Sequence, residues 1–141
     1  MATSHASQTG GRALILVVER DPHVRELERY FLENAGFAVE FAADGHAGLE
    51  LAQRLCPDIV ISEILVAGLD GLSVCRALKA GEATRAVIVL IFSILAAEKR
   101  ALEAGADAFL RKPLDDTRLV QSVERLLAHH RDEGALRNGT G

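Results

Sequence analysis

Five short apolar runs alternate along this chain with five segments whose apolar residues recur at helical spacing, and this alternation limits the fold more than any other feature. Strands that alternate with helices one for one form a parallel sheet covered on both faces. The runs fall at about 13–19, 37–42, 58–63, 87–92 and 108–111. The first is apolar on both faces, as a central parallel strand requires, the third reads as a buried strand that carries a carboxylate at its tip, and the fourth is the most hydrophobic run in the chain. Hydrophobic residues make up 49% of the chain and aromatics only 4%, so the core is aliphatic. With 141 residues and no internal repeat, the pattern describes one domain.

The punctuation between the runs agrees. Asp21-Pro22 reads as an N-cap followed by proline at the first helical position, and Gly36 as the helix stop. That helix is expected to turn Val24, Leu27 and Phe31 inward. Asp44 caps a second helix, with Gly48, Leu51 or Ala52, and Leu55 inward, and Pro57 ends it. Asp70 caps a third with Leu72, Cys75 and Leu78 inward. A short fourth helix, near 95–104, ends at Gly105, and Asp115 or Asp116 caps a fifth with Leu119, Val123, Leu126 and Leu127 inward. Residues 1–12 read as a disordered arm, 13–130 as the domain and 131–141 as a disordered tail.

In an open α/β sheet, ligands and chemistry collect outside the carboxyl ends of the strands. Three such ends carry charge here: Glu19-Arg20-Asp21-Pro22 after the first strand, Glu63 after the third, and Arg111-Lys112-Pro113 after the fifth. Other classes of function find little support. A net charge of −4 leaves no basic footprint for nucleic acid. Cys56 and Cys75 lack metal or disulfide spacing and fit a reducing cytoplasm. No apolar run approaches the roughly 20 residues of a membrane span, and residues 1–12 lack the order of a secretory signal. No glycine-rich phosphate loop follows the first strand, which weighs against a small-ligand or nucleotide-binding module.

The order of motifs resembles the receiver domain of two-component response regulators over about 13–130. The motifs are Glu19-Arg20-Asp21-Pro22, Pro57-Asp58 opening the third strand, Gly68-Leu69-Asp70-Gly71, Ala104-Gly105-Ala106-Asp107-Ala108-Phe109, and Lys112-Pro113. The resemblance implies a (βα)5, flavodoxin-like, doubly wound parallel sheet with strand order 2-1-3-4-5. It also implies a chemistry. An aspartate at the third strand's tip accepts a phosphoryl group, and an acidic pair after the first strand holds Mg²⁺, a hard cation suited to carboxylate oxygens. A Thr or Ser ending strand four and a Lys ending strand five bind the phosphoryl oxygens.

Against that pattern this chain departs at several positions. Glu63 stands for the acceptor aspartate and Arg20 for the second acid, between Glu19 and Asp21, while Lys112 is kept. Ile91 takes the Thr/Ser position; a register placing Ser93 there needs a larger deletion before Gly105. Phe109 occupies the switch-tyrosine position without its hydroxyl. Arg20 has the wrong sign for a metal ligand, so Mg²⁺ binding is expected to be lost or weak. The arginine either flanks Glu63 together with Lys112 as an internal cation, or turns outward to pair with an acid such as Asp21.

The expectation is therefore a phosphorylation-independent pseudo-receiver: a cytoplasmic, non-enzymatic signalling module that acts by protein–protein contact. Glu63 is either a phosphomimic, with one charge and two oxygens against the −1.5 to −2 and three oxygens of a phosphoryl group, or part of an inert pocket. A receiver that still accepts phosphate, with Asp21 serving the metal, is the rival. The expected partners are a histidine kinase, an output protein, or a second copy through the face of helix four, strand five and helix five. Lys99, Arg100, Glu103, Asp107, Arg111, Arg118 and Arg125 give that face mixed charge. Only a short polar segment follows the last helix, so no output domain is expected after it.

Overall fold

The computed structural model describes residues 11–139, with side chains as far as 133. Apart from Gly11 and Arg12, the expected N-terminal arm lies outside these residues. Ten elements follow one another in strict alternation: β1 (Leu14–Val18), α1 (Pro22–Asn34), β2 (Ala38–Ala42), α2 (Gly45–Leu55), β3 (Ile59–Ser62), α3 (Gly71–Ala80), β4 (Ile88–Ser93), α4 (Glu98–Glu103), β5 (Ala108–Arg111) and α5 (Asp116–Gly139). All neighbouring strands are parallel, in the order β2-β1-β3-β4-β5.

Strand side chains alternate between faces, and here each face feeds its own core. Leu16, Val18, Val60, Val89 and Ile91 pack with α2, α3 and α4 residues such as Ala52, Leu72, Leu78 and Ala101. Ile15, Val17, Ile59, Ile61, Leu90 and Phe92 pack with Leu32 of α1 and with Leu119, Val123 and Leu127 of α5. Every residue of β1, β3 and β4 is buried, which explains why these strands are apolar up to the serines that end β3 and β4.

The caps form as their residue types dictate. The Asp21, Asp44 and Asp70 carboxylates accept from the backbone N–H groups of His23, Ala47, and Leu72 with Ser73. Asp115, not Asp116, caps α5 by accepting from Thr117 and Arg118. Gly71 is required by contact. A Cβ there would lie 2.2 Å from the Glu63 carbonyl oxygen, so only glycine lets α3 begin against the tip of β3.

Two expectations are corrected. α1 is rotated from the sequence reading: Leu27 is 48% exposed, whereas Glu28 and Leu32 are buried. The helix is anchored at its start, where Arg25 donates to the Glu19 carbonyl at 2.6 Å, and that places the Glu28–Leu32 line toward the sheet. The second correction concerns the chain's end. α5 runs on to Gly139, so the backbone is helical through most of the segment expected to be a disordered tail. The alanine, leucine and arginines in it are good helix formers that extend a helix already nucleated by packing.

Candidate functional site

The sheet's topology brings the ends of β1, β3, β4 and β5 together, and Glu63 lies at their centre. It follows directly on β3 and is 3% exposed. Five donors meet its carboxylate. Oε2 accepts from the backbone N–H groups of Ile64 (2.7 Å) and Leu65 (3.1 Å) and from the hydroxyl of Ser93. Oε1 accepts from the N–H of Ile94 (3.2 Å) and from the Lys112 ammonium (2.9 Å). A carboxylate offers about four lone-pair directions, so these contacts leave it saturated.

Lys112 ties Glu63 to the first strand. Its Nζ lies 2.7 Å from Glu19 Oε1, and the other Glu19 oxygen accepts from the Asp21 N–H at 3.1 Å. Both carboxylates of this triad are 3% exposed at the side chain and the lysine 14%. Burial alone would raise the Glu63 carboxyl, but hydrogen bonds from Ser93, Lys112 and Leu65, with the lysine's charge, outweigh it and hold the group below the usual range. For Lys112, burial pulls downward, while bonding to Glu19 and Glu63 prevails and raises the ammonium.

A cleft of about 520 Å³ opens over this triad, with Arg20, Val24, Leu27, Leu65, Ile94 and Leu114 among its lining residues. Arg20 is exposed on this lining and, among the described residues, makes no hydrogen bond or ion pair. The expectation that it flanks Glu63 is therefore corrected: Lys112 alone is the internal cation. The reason is that Lys112 already lies between the Glu19 and Glu63 carboxylates, while Arg20, beyond the end of β1, sits exposed on the cleft wall. Arg20 does not pair with Asp21 either, whose carboxylate is engaged as the α1 cap.

Ile91 requires a larger correction. It pairs with Ser62 in the β3–β4 ladder, is fully buried, and belongs to the core under α3 and α4. The hydroxyl position belongs to Ser93, whose Oγ donates to Glu63 and accepts from the Leu95 N–H at 3.1 Å. The larger deletion that this register needs is absorbed by α4, which has only six residues. A polar residue ending the chain's longest apolar run was the available signal. Phe109 is half-buried against the α3–α4 core. Sequence reasoning missed the backbone donors of Ile64, Leu65 and Ile94, and it missed Glu28 altogether.

Residues 15–124 match the model of the response regulator receiver domain. The chain belongs to that family. The transcriptional regulatory protein CseB of Streptomyces avermitilis is 40% identical over 114 residues, covering 80% of this chain and 48% of that protein. The chain thus spans about half the length of the curated relatives it matches. The signal receiver domain of a signal transduction histidine kinase from Syntrophus aciditrophicus superposes with a TM-score of 0.77 at 34% identity, covering 83% of this chain and 91% of that one. The receiver domain of a Pseudomonas aeruginosa sensor histidine kinase, with magnesium coordinated in its active-site cleft, has a TM-score of 0.77 at 26% identity, covering 83% and 98%. This chain is accordingly a receiver domain of two-component signal transduction. Among its described residues, no helix is long and apolar enough to cross a membrane.

Proposed function

We propose that this receiver is filled from within: Glu63 occupies its pocket permanently, and the domain signals without phosphorylation, through protein–protein contacts. The supporting observation is the five-donor shell around the Glu63 carboxylate. An acyl-phosphate forms only when a carboxylate oxygen attacks phosphorus, and an oxygen committed to several donors is a poor nucleophile. The extra methylene of glutamate carries the carboxylate onto the lysine, serine and amides that, in the family's chemistry, serve phosphoryl oxygens.

The same contacts argue against Mg²⁺. Glu19 is committed to Lys112 and to the Asp21 N–H, Asp21 caps α1, and Glu63 has no free oxygen. The Lys112 ammonium, between two buried carboxylates, already supplies the positive charge that a divalent ion would bring. These residues do not fit the metal.

One observation favours an active-like state over an inert one. The Ser93 hydroxyl at the tip of β4 donates to Glu63, the contact that in the family's chemistry a hydroxyl at this place makes to a phosphoryl oxygen. With one charge in place of nearly two, the imitation is partial. The domain is a non-enzymatic cytoplasmic module, and its partners are a histidine kinase, an output protein or a second copy. Its face of α4, β5 and α5 presents exposed Lys99, Arg100, Glu103, Arg118 and Arg125. Asp107 there is tied to Lys79 at 2.8 Å, and Arg111 to the Ile94 carbonyl at 2.9 Å. With a net charge of −4, the surface it offers is suited to protein and not to nucleic acid.

Incubation of the chain with acetyl phosphate and Mg²⁺, followed by intact mass, tests the proposal. The mass is expected to stay unchanged. A stable phosphoryl adduct would overturn it.

A further inference from the structure

Glu28 is a buried ionisable group for which the proposed function has no use. It is 1% exposed on the inward line of α1, and neither carboxyl oxygen has a hydrogen-bond partner. A buried carboxylate without donors is costly enough that such groups give up their charge instead. The charged groups acting on it are Glu19 at the tip of β1, Glu63 at the tip of β3, Lys112 after β5, and Arg25 on its own helix. α5, which packs against α1, contributes the apolar Leu119 and Val123 to the same core. Neither cation is free: Arg25 is held by the Glu19 carbonyl and Lys112 by Glu19 and Glu63.

Two buried carboxylates thus hold one ammonium by contact, and a third buried carboxyl, without a donor of its own, feels that ammonium's charge. We propose that Glu28 is a proton switch on the Glu63 pocket. Protonated, it leaves Lys112 to Glu19 and Glu63; deprotonated, it competes for that ammonium and loosens the loops that begin at Leu65 and Ile94. The step is the loss of one O–H proton to bulk base, with the electron pair staying on the carboxylate and no other bond broken. Lysine suits the role because its ammonium is a point charge on a flexible stem and can be drawn between acids without losing geometry. Burial first, and then the negative charge of Glu19, push the Glu28 carboxyl up to about 8, so the switch works just above neutrality. The inference stands on the burial of Glu28, its lack of donors, the Arg25 bond that ties its helix to Glu19, and the Glu19–Lys112–Glu63 triad, and it holds whether or not the pocket accepts a phosphoryl group.

NMR of the full chain, labelled with ¹³C and ¹⁵N and titrated from about pH 6 to about pH 9.5, provides the test. The Glu28 carboxyl carbon is expected to titrate near pH 8, and the Leu65 and Ile94 amide resonances to move with the same midpoint. Exchange of those amides, corrected for intrinsic base catalysis, should rise about tenfold across the transition. Glu28→Gln keeps the shape and cannot ionise, so its Leu65 and Ile94 amides should stay still; Glu28→Leu is the second non-ionising variant should the first not fold. Two results overturn the proposal: amides that do not move in the native chain, or amides that move equally in the variant.

Discussion

Glu63 and Glu28 are both buried glutamates in one small domain, and their surroundings treat them in opposite ways. Glu63 meets five donors and is held below the usual carboxylate range; Glu28 meets none and is pushed up to about 8. Both are closed to solvent, at 3% and 1% exposure, and burial pushes both carboxyls up; it prevails at the more deeply packed Glu28, and only at Glu63 do donors outweigh it. Strand tips in a parallel sheet supply free N–H groups and converging loops, whereas the inward line of a helix has its amides committed to its own backbone. A carboxylate placed at a strand tip becomes an anchor, and the same group placed one layer away becomes a liability that a proton must relieve.

The comparison can be broken most forcefully at Lys112. Replacing it with methionine leaves Glu19 and Glu63 as uncompensated buried acids, with an expected loss of about 3–5 kcal/mol in urea unfolding. A loss below about 1 kcal/mol would mean that the ion pairs do not hold the pocket.

Glu28 gives the next effect, with the opposite sign. Its folded-state value lies above its unfolded one, so the native state binds the extra proton and stability falls as pH rises from about 4.5 to about 8. Through this group alone the decline amounts to roughly 4 kcal/mol. Glu28→Leu should remove that slope and stabilise the chain most at alkaline pH. Glu63 runs the other way, and its contribution is lost only as pH falls through its lowered value. A stability curve with no difference between Glu28→Leu and the native chain at pH 8 would erase the contrast.

Ser93→Ala sharpens the comparison by removing a single donor. We expect a cost of about 1–2 kcal/mol in thermal or urea unfolding and no effect from Ile91→Val beyond that of a trimmed core methyl, about 0.5–1.5 kcal/mol. Arg20→Ala should change stability by no more than about 0.5 kcal/mol, since the side chain is exposed and unbonded among the described residues. A large loss there would restore Arg20 to the pocket.

Most of the fold was legible because strand period, helix period and capping aspartates all point to the same architecture. The three strand tips were likewise legible, since Glu19, Glu63 and Lys112 each follow an apolar run at once or after one polar residue. What failed shares one cause, namely that tertiary contacts choose among options that local pattern leaves equal. The α1 stripe could begin at Leu27 or Glu28, and the Arg25 bond to a neighbouring carbonyl decides it. The polar end of β4 could fall at Ile91 or Ser93, and the six-residue α4 decides that. Whether Arg20 joined Lys112 at Glu63 was likewise left open by the pattern, and the packing of Lys112 between the two carboxylates decides it.

Titration of Mg²⁺ with beryllofluoride, a phosphoryl mimic, observed on the Leu65 and Ile94 amides, tests most directly whether Glu63 has closed the pocket. The account predicts that both resonances stay where they are at every concentration, because their acceptor is already the Glu63 carboxylate. Saturable shifts of both amides, reversed on removing Mg²⁺, would contradict it.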